Sequence, residues 1–111
     1  MKEYIEIENG IEYNVVEFEQ TDLDDNPTFF DEFIKKHKYV KLIGKNVFFK
    51  QNKNNFVAYG KDGKYHNEYG QSIHGEYEGI KGGLYHIEGN ALSEEEFTNY
   101  DRDKKLKDIL S

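Results

Sequence analysis

The sequence predicts an α+β domain, and three observations carry that prediction. Two short runs alternating apolar and polar residues flank Asn9-Gly10, a strong hairpin turn. After Pro27, apolar residues recur at helical spacing. From Tyr39 onward, β-rich runs are separated by glycine turns, which reads as an antiparallel meander.

Residues 2–19 form the hairpin. A two-residue loop would pair Ile7 with Glu12 and Ile5 with Asn14, mixing apolar and polar residues on each face. A three-residue loop, Glu8-Asn9-Gly10, pairs Ile7 with Ile11 and Ile5 with Tyr13. Because a one-residue slip moves every side chain to the other face, hydrophobic pattern favours the second register. It sets Ile5, Ile7, Ile11, Tyr13 and Val15 on one face and Glu6, Glu8, Glu12 and Asn14 on the other. Gln20 to Asn26 reads as an acidic loop. Asn26 can cap a helix and Pro27 suits its first position, so a helix is expected over roughly 27–38. Phe30, Phe33, Ile34 and His37 mark its inner stripe. Asp31 and Glu32 lie near its positive end, and Lys35, Lys36 and Lys38 near its negative end.

The meander follows as runs 39–43, 46–50, 55–59, 64–66, 72–77 and 84–88. They are divided by Gly44-Lys45, Gln51 to Asn54, Asp62-Gly63, Tyr69-Gly70 and the glycine-rich 79–83. Ser93-Glu94-Glu95-Glu96 has the form of a capping box and starts a C-terminal helix. Phe97 and Tyr100 form one stripe, and Leu106, Ile109 and Leu110 another out of phase with it. A break near 99–103 or a frayed last turn is therefore expected. The predicted core is Ile5, Ile7, Tyr13, Val15, Phe30, Phe33, Ile34, Val40, Leu42, Phe48, Val57 and Phe97. No Pro-, Gly- or Ser-rich linker interrupts residues 1–111, so a single domain is expected.

Composition narrows the function classes. The 111 residues carry a formal charge of −7, and aromatic residues make up 15%, too many for a disordered acidic tail. Without cysteine, disulfides, thiolate metal sites and cysteine nucleophiles are excluded. No apolar run approaches the ~20 residues of a membrane span, and the first residues lack a signal-peptide core, so a cytoplasmic protein is expected. Charge is segregated: residues 1–34 hold eleven acids against Lys2, a net −10. Residues 35–66 hold nine lysines against Asp62, a net +8, and residues 67–111 are net −5. One reading of this pattern is an acidic hairpin paired with the lysine-rich middle. The other is an acidic surface held for a partner.

Residues 62–73, Asp-Gly-Lys-Tyr-His-Asn-Glu-Tyr-Gly-Gln-Ser-Ile, resemble one unit of a turn-rich β-repeat common in phage and bacterial proteins. That unit has the form Asn-Gly-Lys-x-His-Arg-x-Asp-Gly-Pro-Ala. The Gly-x-x-Leu-Ser-x-x-Glu-Phe that closes such units is similar to Gly89 to Phe97. The resemblance spans residues 56–97, departs from the pattern at Asn67, Tyr69 and Gln71, and implies architecture and a phage or mobile-element setting. It implies no catalytic residue.

Catalytic constellations are weak. His66, His74 and His86 could meet across strands and hold zinc, or with nearby tyrosines line a ligand or enzymatic site. Isolated strand histidines more often serve as hydrogen-bonding groups, so no metal or cofactor is expected. Ser72 lies two residues from His74, yet no nucleophile-elbow pattern surrounds it. The glycine-rich 79–83 has no helix behind it to bind phosphate. Lysines interleaved with Phe48, Phe49, Phe56, Tyr59 and Tyr65 look like a nucleic-acid face, but that segment has no arginine and its flanks are acidic. Direct nucleic-acid binding is therefore not expected.

The expected function is a non-enzymatic inhibitor or neutraliser, with Glu6, Glu8, Glu12, Glu17, Glu19, Asp22, Asp24 and Asp25 as its partner-binding acids. The partner would carry a basic site, as nucleases and other nucleic-acid-handling enzymes do. Phage anti-defence proteins, DNA mimics and toxin-immunity proteins share this logic. An open strand edge leaves the choice between monomer and homodimer.

Overall fold

The computed structural model describes residues 1–49, 52–77 and 80–110, without the side chains of Phe30, Phe49, Asn52, Tyr77, Ile80, Asp108 and Leu110. Eight strands and three helices follow in the order β1 (Lys2–Glu8), β2 (Ile11–Glu19), α1 (Gln20–Asp25), α2 (Phe29–Lys36), β3 (Tyr39–Phe49), β4 (Asn52–Lys61), β5 (Lys64–Tyr65), β6 (Ile73–Tyr77), β7 (Ile80–Ile87), β8 (Asn90–Leu92) and α3 (Glu94–Leu110). The strands lie in the order β1-β2-β3-β4-β6-β7-β8, with β5 paired to β4. Mixed α/β architecture is as expected, and the sheet dominates it.

The hairpin corrects the register expected from its pattern. Ile7 faces Glu12, Ile5 faces Asn14 and Glu8 faces Ile11, so Asn9-Gly10 is a two-residue loop. Asn9 has φ 53° and Gly10 φ 77°, the positive values a type I′ turn requires at both central positions. Turn chemistry prevails over hydrophobic pattern here. Glu6 and Glu8 lie on the same face as Tyr13 and Val15, while Ile5 and Ile7 emerge on the other with Glu12 and Asn14. Ile5 and Ile7 therefore leave the predicted core: they are 61% and 72% exposed.

Between β2 and β3 the chain crosses over through two helices, and these strands pair in parallel, Val16 against Leu42. A parallel pair needs such a crossover. The expected acidic loop is helix α1, because the Asp22 carboxylate accepts the Glu19 N–H at 2.9 Å and closes the first turn. Asn26 ends α1, its N–H bonded to the Asp22 carbonyl, so the cap of α2 passes to Thr28. The α2 charges fall as predicted, Asp31 and Glu32 in its first turn and Lys35 and Lys36 in its last.

The main core lies between α1–α2 and one sheet face: Val16, Phe18, Phe29, Phe33, Val40, Leu42, Val47 and Ala58. Phe29 stacks on Phe33 at 5.7 Å, so the inner stripe of α2 begins one residue earlier than predicted. The Phe30 side chain lies outside the described residues. A second cluster, Tyr13, Val15 and Tyr59, occupies the opposite face, bordered by Tyr4, Ile11, Tyr39, Ile43 and Val57. Ile34 packs against the main core from its margin. Phe48 is 46% exposed and is not core.

Gly44-Lys45 is not a turn: β3 runs through it as one strand, with a bulge between Gly44 and Val47. Asn46 takes φ 51° there, and its N–H bonds the Asn55 side chain at 2.9 Å. A Cβ on Gly44 would come within 2.5 Å of the Phe56 ring, so close strand packing explains this glycine. Gly82 and Gly83 likewise belong to β7, paired with Gly75 and His74. Residues 78–79 of the expected turn lie outside the described residues. Two more pairs with positive φ, Asp62-Gly63 and Glu88-Gly89, turn β4 into β5 and β7 into β8, a strand the sequence pattern did not reveal. Gly70, in the Tyr69-Gly70 divider, has no positive φ.

The Ser93 capping box forms as predicted. The Ser93 Oγ accepts the Glu96 N–H at 3.1 Å, and Glu96 accepts the Ser93 N–H at 3.0 Å. The expected break does not occur: α3 runs unbroken over 94–110. It buries Phe97, stacked on Tyr85 at 4.5 Å, and leaves Leu106 and Ile109 exposed. A straight helix cannot turn both stripes inward, so the outer one stays in solvent.

Candidate functional site

The eight acids expected to meet a partner divide into two groups. Four are engaged within the molecule. Lys41, on β3, reaches Glu6 at 3.2 Å and Glu8 at 3.1 Å. The Tyr59 hydroxyl shares its proton with both Glu8 oxygens, at 3.0 and 3.1 Å. The Lys41 ammonium also stands 5.4 Å from the Tyr59 ring centre. Burial alone would lower the Lys41 pKa, but its bonds to Glu8 and Glu6 outweigh that and raise it. Tyr13 packs edge-on against Tyr39 and Tyr59, and burial, aided by the Glu8 charge, pushes its pKa up to about 12.

Glu17 bonds Lys45 at 2.7 Å, and that bond, with a second from Tyr4, lowers its pKa. Asp22 is lowered chiefly by its bond from the Glu19 N–H. The acidic hairpin thus pairs with lysines of the basic middle segment, across β2.

Glu12, Glu19, Asp24 and Asp25 form the other group. All four are exposed, and among the described residues no cation pairs with them. Glu12 stands apart, opposite Ile7 on the outer hairpin face. Asp24 accepts only the Gln20 side-chain amide, at 2.9 Å. Two acids outside the predicted set, Asp31 and Glu32, follow on the far side of the α1–α2 turn, in the first turn of α2. Thr28 at the α1–α2 turn lies 3.2 Å from the Asn26 side chain and 3.3 Å from Glu32, which draws Glu32 and its neighbour Asp31 to that turn. Both are exposed. Their charge is legible in the sequence; that a second helix, α1, ends just before them is not.

The histidines do not converge. His66 is 5% exposed, and its Nδ1 accepts the Glu88 N–H at 2.8 Å. Its proton therefore sits on Nε2, which faces Glu68 at 3.8 Å, too far for a hydrogen bond. Burial lowers the His66 pKa despite that carboxylate. His86 Nδ1 lies 2.6 Å from the Ser72 Oγ, so the partner of Ser72 is His86 and not its strand neighbour His74. The Ser72 hydroxyl also reaches the Leu84 carbonyl at 3.0 Å and is fully buried. The hydroxyl is thus held between that carbonyl and the His86 ring, away from solvent. This pair braces β6 against β7.

His74 lies half-buried near the Tyr59 ring. It lines an open groove of about 760 Å³ with Ile43, Lys45, Val57, Glu76 and Lys81, without the other two histidines. Among the described residues, no three His, Asp or Glu side chains are placed to hold a metal ion. No helix is long and apolar enough to cross a membrane. No family model, curated protein or solved structure matches the chain.

Proposed function

We propose that the protein is a small acidic, non-enzymatic inhibitor that docks on a basic site of another protein, such as a nuclease or other nucleic-acid-handling enzyme. One observation carries this reading: Asp24 and Asp25 at the end of α1 and Asp31 and Glu32 in the first turn of α2 are exposed on either side of one short turn, and among the described residues no cation pairs with them, while Glu6, Glu8 and Glu17 are paired with Lys41 and Lys45. Unpaired like charges in one place raise the local field and speed encounter with a basic surface. Such fields choose partners and set on-rates more than they add affinity. The docking acids are thus those at the α1–α2 turn, with Glu19 and Glu12 as outliers, and the hairpin acids serve structure.

The test is capture from the host lysate at low salt, identification of the retained protein, and kinetics on that pair. Asp24→Asn, Asp25→Asn and Asp31→Asn together should slow association about tenfold and flatten its salt dependence. Losing Asp31 from the first turn of α2 costs about 0.5 kcal/mol of helix stability, so melting should change little. Unchanged association and salt slope in the triple variant would refute the reading, as would no capture at all. Anti-defence, DNA-mimic and immunity roles share this chemistry, and the retained partner separates them.

A further inference from the structure

The two edges of the sheet are protected differently. At one end β8 is three residues long and runs directly into α3. At the other, β1 is seven residues long, and among the described residues no strand pairs with its outer side. It carries no proline and its pairing shows no bulge, so of the usual means of blunting an edge it has only the charges of Lys2, Glu3, Glu6 and Glu8.

In a two-residue hairpin the residues beside the turn bond each other, and the pattern then alternates. Glu8, Glu6, Tyr4 and Lys2 turn their backbone groups to β2. Glu3, Ile5 and Ile7 turn theirs outward, and the same Ile5 and Ile7 side chains are 61% and 72% exposed. Open backbone donors beside bare isoleucines form a template for another strand.

We propose that this strand is β1 of a second copy, docked antiparallel about a two-fold axis through Ile5, so that two sheets become one. The sequence of β1 is self-complementary in that register. Ile5 meets Ile5, Glu3 meets Ile7, Tyr4 meets Glu6 and Lys2 meets Glu8 of the second copy. No acid faces an acid, which would destabilise the pair. A shift of two residues toward the turn would set Glu6 against Glu6, and the opposite shift shortens the overlap. Glu6 and Glu8 already share Lys41, which halves the charge they bring to the approach.

The outward residues form about six hydrogen bonds across the axis. Ile7 of the second copy, opposite Glu3, reaches the mouth of a groove of about 260 Å³ bounded by Glu3, Ile5, Asn14, Phe33 and Lys36. One strand pair buries less than the ~800 Å² per partner of stable complexes, so the dimer dissociates on dilution. The inference goes beyond the acidic-surface reading and does not rest on it, since the α1–α2 acids take no part in this edge.

Sedimentation of the full chain over a dilution series is the first measurement, and a reversible monomer–dimer equilibrium is expected. Ile5→Thr with Ile7→Thr keeps strand propensity and should raise the dimer dissociation constant at least about tenfold. Register is read by cross-linking, which the absence of native cysteine makes clean. Ile5→Cys should trap a disulfide dimer, because facing Cα atoms lie ~5.5 Å apart. Glu3→Cys should not, because its two copies lie ~13 Å apart along the strands. A monomer at every concentration overturns the proposal. So does a dimer indifferent to the threonine pair, or equal trapping at both positions.

Discussion

Two charged clusters, neighbours through the His66 N–H on the Tyr59 carbonyl, use the same parts to different effect. In the hairpin cluster Lys41 is clamped by Glu6 and Glu8, with the Tyr59 hydroxyl on Glu8. In the other Glu68 is clamped by Lys104 at 3.1 Å, with the Tyr100 hydroxyl at 3.5 Å and buried His66 behind it. The Lys41 cluster joins β1 to β3 and β4 over the aromatic patch of Tyr13 and Tyr59; its carboxylates are 39% and 34% exposed, but its lysine side chain only 12%. The Glu68 cluster joins a loop to one helix, and both its charged partners are about a third exposed. Partial desolvation makes an unpaired charge costly, whereas solvent screens an exposed pair. The first cluster should therefore support the whole sheet, and the second only the docking of α3.

Removing Lys41 is the strongest way to break that contrast. Lys41→Ala leaves two carboxylates side by side next to the Tyr59 hydroxyl, and should cost about 2–4 kcal/mol in urea denaturation. Because the folded pKa of Lys41 is raised, the clamp contributes fully below the unfolded value of 10.5. It is lost only as pH climbs through the higher folded value. A loss below about 1 kcal/mol would make this an ordinary surface pair.

The same contrast explains what could be read from the chain beforehand. Local rules were legible: the Ser93 box, the charge order along α2, and the Asn9-Gly10, Asp62-Gly63 and Glu88-Gly89 turns, of which the last went unread. The hairpin register follows turn geometry against the hydrophobic pattern. The pattern would bury Ile5 and Ile7, whereas an open edge carries them exposed. The Lys41 clamp was foreseen only as a pairing of acidic and basic segments. Its partners are more than 30 residues apart, and only the parallel pairing of β2 with β3 brings them together. Ser72 and His86, fourteen residues apart, meet for the same kind of reason: the antiparallel pairing of β6 with β7 brings them together.

Acid should separate the two clusters more gently. His66 must be neutral to accept the Glu88 N–H at Nδ1, and burial lowers its folded pKa below 6.5. Above pH 6.5 its contribution is complete. Below it the unfolded chain takes up the proton first, so stability falls with pH until the folded pKa is passed. Glu68 and Glu88 favour protonation of this ring, whereas Lys61 and Lys104 oppose it. His66→Asn keeps an acceptor for the Glu88 N–H without the titration. The melting temperature of the wild type should therefore drop below pH 6.5 more steeply than that of the variant. Parallel curves would show that His66 is not the group that titrates.

The smallest effect is expected at Lys104, and it tests whether α3 is a separately docked element. Lys104 binds Glu68 and sits 4.6 Å from the Tyr69 ring centre, both partly in solvent. A half-exposed ion pair of this kind is worth about 0.2–1 kcal/mol. Apart from it, α3 is held mainly by Phe97 on Tyr85, since Leu106 and Ile109 face solvent. An element with so few buried contacts opens well before the sheet unfolds. Lys104→Ala should therefore speed hydrogen exchange along α3 several-fold and leave amides of β2, β3 and β4 unchanged, with the urea midpoint almost unmoved. If strand amides instead exchanged faster by the same factor as those of α3, the helix and sheet would unfold as one unit. The two clusters would then differ in strength but not in reach.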